Sequence, residues 1–331
     1  MKILITGAGG YIGSVATYTF LQKGFEVVGV DNFSRGYETP LKLLTDKFGQ
    51  DKLRYYQTDI KNIESVLAKE KDIEAVVHFA AFCLVDESMR TPELYFDNNV
   101  GGTLALLTAI AKHSIKKIVF SSTCAVYGEA QYVPVDEKHP TKPSNPYGES
   151  KLMVEKILAW FDKVYGVKSV ILRYFNVCGA SDDGLIGDSK KPSVLLVQNA
   201  VRGALGIEEF KLTCPKVKTP DGTPIRDYIN VVDLVEAHSL ALDYLGQSGT
   251  SNLFNLGTGK GDSVLEIIEA VKKETGADFA IGQSEPRQGE YAEMKADNHK
   301  AQEILNWIPK RKIADSIKSL VVWYRLHPNG W

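Results

Sequence analysis

The sequence predicts an α/β fold: a Rossmann-type doubly wound parallel sheet, followed by a smaller mixed α/β substrate-binding lobe. Three observations carry the prediction. Apolar runs alternate with helical periodicities through the first half, a glycine-rich turn follows the first run directly, and the pattern loosens from about Cys178. Parallel strands joined by crossover helices are covered on both faces and therefore read as continuous apolar runs. At 331 residues the chain is long enough for two units, expected over 1–177 and 178–331.

Strands are predicted near residues 2–6, 26–30, 53–56, 74–79, 116–121 and 168–173, with helices between them. The first, Lys2–Thr6, runs into Gly7-Ala-Gly-Gly10-Tyr11-Ile12-Gly13 and then a helical stretch through Lys23. Gly7 permits a tight turn, Gly10 lets the backbone approach a pyrophosphate, and Gly13 lets helix and strand pack closely; the helix N-terminus then faces the phosphates. The second strand ends in Asp31, at roughly the 20-residue offset from the glycines expected of an acid on the adenosine ribose. This context predicts dinucleotide binding. Asp31 would repel a 2′-phosphate, which favours NAD over NADP, although Arg35 lies nearby.

Right-handed crossovers place the strand C-termini along one edge, where open α/β sheets bind ligands. The glycine turn, Phe79-Ala80-Ala81, Ser121-Ser122-Thr123 and Tyr174-Phe175-Asn176 all follow strands and converge there. On the next predicted helix, Tyr147 and Lys151 stand at i and i+4 on one face. A nearby ammonium favours the phenolate, so the pair can make a general base of a tyrosine. With the Thr123 hydroxyl it supplies what oxidation of an alcohol needs: a group to take the proton while NAD takes the hydride.

In the second lobe Ser263-Val-Leu-Glu266 is a capping box opening a helix over 264–275. The turn-rich Thr219–Pro224 leads into a short expected strand, Ile225–Ile229, carrying Arg226. The net charge of −2 and pI near 6.3 give no general attraction to nucleic acid or anionic membrane. Cys83, Cys124, Cys178 and Cys214 are scattered, without zinc or disulfide spacing. The longest nearly apolar stretch, Ala75–Val85, is interrupted by His78 and far too short for a membrane span. With no signal-like segment before the first strand, a cytoplasmic protein is expected.

Over essentially its whole length the chain resembles the extended short-chain dehydrogenase/reductase family. The matching pieces, in order, are Gly7–Gly13, Asp31-Asn32, Asp59-Ile60, His78–Ala81, Asp97–Val100, Phe120–Gly128, Pro146–Lys151, Arg173–Asn176, Asp221–Ile229, Asn255–Gly257 and Pro286–Glu290. The resemblance implies that Asp59, Ile60, Phe79, Ala80, Asn98, Ser121, Tyr147, Lys151 and Tyr174 line an NAD site. It also implies that Asn176, Arg226 and Arg287 hold a UDP-sugar, the arginines on its diphosphate, with Glu290 on the uridine ribose. Planar guanidinium groups suit a diphosphate. Thr123 and Tyr147 would meet the sugar itself.

The activity implied is epimerisation at sugar C4, interconverting UDP-galactose and UDP-glucose by transient oxidation and return of hydride to the opposite face. Helices near 92–112 and 147–163 form the family's dimer interface, which implies a homodimer. Cys83 stands where relatives often carry Lys, Thr123 where Ser is common, and Glu290 where Asp is common. Pro192–Val197 lacks an Asn often found beside uracil, and Met294 occupies a position that gates sugar size, leaving a UDP-pentose, UDP-uronate or UDP-N-acetylhexosamine as alternative substrates. A nucleotide-sugar 4,6-dehydratase resembles a pattern with acids directly after the threonine, where this chain has Cys124 and Ala125. A 3,5-epimerase using Cys124, and a non-catalytic dinucleotide sensor, are the remaining alternatives.

Overall fold

A computed structural model describes residues 1–190, 193–285 and 291–331. Its central sheet is built from β1 (Lys2–Thr6), β2 (Glu26–Asp31), β3 (Leu53–Gln57), β4 (Ala75–His78), β5 (Lys117–Thr123), β6 (Lys168–Tyr174) and β7 (Asn252–Leu256), in the order β7-β6-β5-β4-β1-β2-β3. The pairs β1–β2, β2–β3, β1–β4 and β4–β5 are parallel. All six predicted strands are present. The seventh, β7, comes from the region assigned to the second lobe and completes the sheet edge beside β6.

Chain order runs outward from β1 through β2 to β3, then returns to the other side of β1 as β4. The reversal opens a crevice at the C-terminal ends of β1 and β4, the place where doubly wound sheets take ligands. Helix α1 (Tyr11–Gln22) leaves β1 through the glycine turn, and α2 (Thr39–Phe48) lies between β2 and β3. Farther along are α3 (Gly102–Lys112) and α4 (Pro146–Tyr165). The core of this unit gathers Leu4 and Val76 from the sheet with Leu106, Ile110, Val154 and Leu158 from α3 and α4.

Helix α4 starts and stops on strong local signals. The Asn145 side chain accepts the Gly148 N–H at 2.8 Å, Pro146 takes the first helical position, and Gly166 ends the helix at φ 67°. By contrast, the helix expected near 92–112 is not continuous. A π-helical segment, Phe96–Gly101, separates Pro92–Tyr95 from α3. Such a widened turn re-aims side chains without ending the helix, and Asn98 lies within it.

The two compact units interleave in sequence where a single change near Cys178 was expected. One comprises Met1–Gly128, Pro140–Arg173 and Val235–Phe254; the other comprises Glu129–His139, Tyr174–Leu234 and Asn255–Trp331. The physical reason is β7: its sheet neighbour is β6, so the helix Val231–Ser248 and the strand after it return largely to the first unit. Within the second unit, helices Leu196–Ala204, Val264–Thr275 and Ile313–Leu326 enclose Val201, Ile268, Leu320 and Trp323. The predicted capping box is present in both directions: Ser263 Oγ accepts the Glu266 N–H at 3.1 Å, and Glu266 accepts the Ser263 N–H at 2.7 Å.

At the sheet edge opposite the crevice, buried Glu70 accepts Lys2 Nζ (2.7 Å), Arg54 Nε and Nη2 (2.7 and 2.8 Å) and the Tyr56 hydroxyl (2.7 Å). Burial opposes its charge, yet these donors hold its pKa down at about 2. A depressed carboxylate contributes stability that is complete above its ordinary pKa near 4.5 and is lost as pH falls toward 2. Glu70→Gln should therefore cost about 1–3 kcal/mol at pH 7, with the difference from wild type vanishing in melts near pH 2. Equal melting temperatures at pH 7 would show that this hub does not hold β1 to β3.

Candidate active site

The glycine turn is as tight as the sequence requires. Gly7 has φ 71°, and a Cβ there would stand 2.6 Å from Ala80 N; at Gly13 it would stand 2.0 Å from Gly7 O. Only glycine fits either position. At Gly10 the nearest protein atom to such a Cβ is 3.3 Å away, so packing alone does not demand glycine there. α1 begins at Tyr11 and Ile12, and its N-cap residue, Gly10, has no side chain to cap it. Buried Asp31 closes β2 and accepts N–H groups from Gly9 (2.9 Å) and Phe33 (2.8 Å). Burial raises its pKa, and these donors oppose the rise.

Asn32 Nδ2 donates to Asp59 at 2.8 Å, and Asp59 also caps the turn that begins at Ile60. Arg35, the residue that complicated the NAD reading, forms an ion pair with Glu87 at 2.7 Å and lies over the Phe82 ring. Its guanidinium is engaged by Glu87. The features present suit a dinucleotide without a 2′-phosphate: a helix that starts directly after a glycine turn, and a buried acid at the end of β2.

After β4, Phe79 packs on His238 with ring centroids 4.8 Å apart, and Ala80 lies against Gly7. Ala81 follows, half-buried. His78 is fully enclosed, with Nδ1 2.6 Å from Thr6 Oγ1 and Nε2 2.8 Å from Thr103 Oγ1. Because the Thr103 hydroxyl donates to Asn99 O at 2.6 Å, it accepts from Nε2–H, which leaves Nδ1 to accept from Thr6. Asn98 Nδ2 donates to Asn99 Oδ1 at 3.0 Å.

Thr123, Tyr147 and Lys151 come together as the sequence predicts. Thr123 ends β5, while Tyr147 and Lys151 lie in the first two turns of α4. The Thr123 hydroxyl hydrogen-bonds the Tyr147 phenol, and its oxygen accepts the Ala125 N–H at 3.1 Å. Lys151 Nζ donates to Ser121 O at 2.8 Å and lies 4.8 Å from the centre of the Phe120 ring. Burial pushes Lys151 down to about 8, against the opposing influences of Cys83 and Glu155.

The expected lowering of the Tyr147 pKa is not what the protein alone produces. Burial, then the charge of the Cys83 thiolate form, raise it well above the ordinary phenol value, against the lowering from Thr123. One of the three Lys151 ammonium donors is directed at Ser121 O. Positive charge from a bound group would oppose this rise.

Tyr174, Asn176 and Arg226 belong to the second unit. Tyr174 is buried, and the Asn176 N–H donates to Asp227 O at 2.9 Å. Arg226 lies between Asp262 and Met294 in a three-stranded sheet. The strand expected over Ile225–Ile229 splits at Asp227, with Ile225–Arg226 and Tyr228–Asn230 in different sheets. The cause is the Asp227 carboxylate, which accepts Thr258 N (2.7 Å), Thr258 Oγ1 (2.7 Å), Gly259 N (2.9 Å) and Ala296 N (3.2 Å). Arg287 and Glu290 lie outside the described residues.

Sequence reasoning placed His78, Arg173 and Asp227 within matching motifs but gave them no role, and it passed over Glu155. Glu155 carried a local signal of its own, since it extends the Tyr147–Lys151 spacing by one more turn. Among the described residues no group of three potential ligands could hold a metal ion, and no helix is long and apolar enough to cross a membrane.

The profile of the NAD dependent epimerase/dehydratase family matches residues 3–257, and the chain belongs to that family. It is 41% identical to a UDP-glucose 4-epimerase of Lactobacillus helveticus, covering 100% of this chain and 99% of that protein. A putative UDP-arabinose 4-epimerase of Arabidopsis thaliana is 39% identical over 99% of this chain and 81% of its own length. The crystal structure of the Bifidobacterium longum UDP-glucose 4-epimerase with NAD⁺ and UDP superposes with a TM-score of 0.94 at 36% identity, covering 100% of both chains.

His78 is pushed down to about 3 by burial and then by the charge of Lys151. Its folded pKa is depressed, so its contribution to stability is complete above about 6.5 and is lost as pH falls toward 3. Imidazole ¹⁵N shifts should show a neutral ring with Nε2 protonated throughout pH 5–8. A titration midpoint near 6 would refute the enclosed Thr6–His78–Thr103 network.

Proposed function

We propose that the chain uses NAD to interconvert UDP-glucose and UDP-galactose by transient oxidation at sugar C4. The observation that carries this reading is the full-length likeness to UDP-glucose 4-epimerases, which spans both units and every piece of the candidate site described above. NAD, when bound, supplies reversible hydride acceptance and a positive charge beside the phenol. The remaining work falls to the chain.

In this proposal Tyr147 takes the C4 hydroxyl proton, and Thr123 hydrogen-bonds the same oxygen. Lys151 favours the phenolate through its charge. Gly7, Gly10 and Gly13, with the start of α1 at Tyr11 and Ile12, receive the pyrophosphate, while Asp31, Asn32 and Asp59 take the adenosine side. Ile60, Phe79, Ala80, Ala81, Asn98, Ser121 and Tyr174 line the rest of that site. Asn176, Arg226 and Arg287 hold the UDP-sugar, and Glu290 its ribose. With UDP anchored, the 4-keto sugar can present its other face, and Tyr147 returns the proton. Cys124 and Ala125 offer no acid or base for eliminating water, which disfavours a dehydratase.

A homodimer is part of the proposal. Trp160 and Val164 on α4 are each 62% exposed, and Met153 on α4 and Leu104 on α3 add apolar surface. These side chains make an unusually apolar face for a free surface. Trp160→Glu with Leu104→Glu should convert a dimer to monomer in size-exclusion chromatography with light scattering. A wild-type monomer would remove the proposal.

Incubation of UDP-galactose with the protein and NAD⁺ should yield UDP-glucose without net NADH formation. Tyr147→Phe should keep nucleotide binding and lose about 10²–10⁴-fold in kcat. A 4-keto-6-deoxy product would select a dehydratase, and binding without turnover a sensor. The likeness to a UDP-arabinose 4-epimerase gives a second reading, a UDP-pentose substrate, tested by comparing kcat/KM for the two sugars.

A further inference from the structure

Behind the candidate catalytic residues lies a buried ion pair that the proposed reaction does not use. Glu155 follows Tyr147 and Lys151 on the same face of α4, at i, i+4 and i+8. Its carboxylate accepts Arg173 Nε at 3.0 Å and Nη2 at 2.5 Å, in bidentate fashion, and the Ser122 hydroxyl at 2.5 Å. Both side chains of the pair are less than a tenth exposed. The Arg173 guanidinium lies 4.7 Å from the centre of the buried Tyr127 ring. Glu155 is thus fixed by three hydrogen bonds from two residues. Its partners come from the strand that carries Thr123 and from β6.

The groups around the Lys151 ammonium are few. Ser121 O and the Phe120 ring hold it from β5; His78 faces it from β4 as a neutral imidazole; Cys83 faces it from the segment after β4; Tyr147 and Glu155 flank it on its own helix. Glu155 is the one carboxylate among them. Glu155 therefore pairs directly with Arg173 and reaches Lys151, one helical turn away, through its charge, beside the larger influence of Cys83.

We propose that Glu155 is a positioning residue, locked by Arg173 and Ser122, whose charge keeps Lys151 protonated inside the protein at the pH where Tyr147 acts. The proposal rests on the epimerase reading for its kinetic consequence, but not for its effect on Lys151. The opposing charges give it a signature that packing cannot imitate. Removing Glu155 takes its negative charge from Lys151, leaves Arg173 uncompensated, and lowers the pH at which Lys151 loses its proton. Removing Arg173 leaves Glu155 wholly to Lys151 and raises it. Burial already sets Lys151 near 8, close enough to working pH for either change to be visible.

The test uses Glu155→Gln and Arg173→Gln in the full chain with NAD⁺, read two ways. A ¹³Cε-lysine NMR titration follows Lys151 directly, and the alkaline limb of the kcat–pH profile follows its consequence for turnover of UDP-galactose. Glu155→Gln should move both downward by about one pH unit or more, a tenfold change in the protonated fraction at fixed pH. Arg173→Gln should move both upward, and it alone carries the test if Glu155→Gln does not fold. A folded variant of either kind with Lys151 titrating at the wild-type pH overturns the proposal. If the wild type turns over no UDP-sugar, the epimerase reading fails, while the NMR titration still decides the role of Glu155.

Discussion

The constraint on which the rest of the site depends is the burial of one ammonium group. Lys151 cannot be placed beneath a tyrosine without losing hydration, and an isolated buried cation surrenders its proton instead. The fold answers with a single carbonyl, Ser121 O, an aromatic face from Phe120, and a carboxylate one helical turn away. These groups come from β5 and α4, whose relative placement fixes Thr123 against Tyr147 at the same time. The geometry that makes the phenol useful is therefore the geometry that makes the lysine tolerable.

The opposite end of the sheet follows the same rule with different partners. Glu70 is buried among Lys2, Arg54 and Tyr56 and holds β1 to β3 far from the crevice. In the second unit Asp227 spends its lone pairs on Thr258, Gly259 and Ala296, and the strand breaks there so that Arg226 enters one sheet and Tyr228 another. Each buried charge organises segments distant in sequence. The polar groups of this chain carry its topology as much as its apolar core does.

Much of this was legible in the sequence. The glycine turn, Asp31, the Tyr147–Lys151 spacing and the capping box at Ser263 depend on neighbours within a few turns, so periodicity and residue type suffice to read them. What escaped depends on distant partners. The break at Asp227 needs donors from residues 258, 259 and 296; the edge strand β7 needs β6; the role of Glu155 needs Arg173. The π-helical segment at Phe96–Gly101 preserves apolar spacing well enough to pass for uninterrupted helix. The phenol pKa ran against the sequence expectation because burial, which no i, i+4 spacing reveals, raises it most, followed by the charge of Cys83.

The central claim is that the hydrogen removed from sugar C4 returns to C4. UDP-galactose carrying deuterium at C4 tests it directly, with the products analysed by mass spectrometry and NMR. The account predicts UDP-glucose that retains the deuterium at C4. Deuterium released to solvent, or moved to C6 of a deoxy sugar, would contradict it.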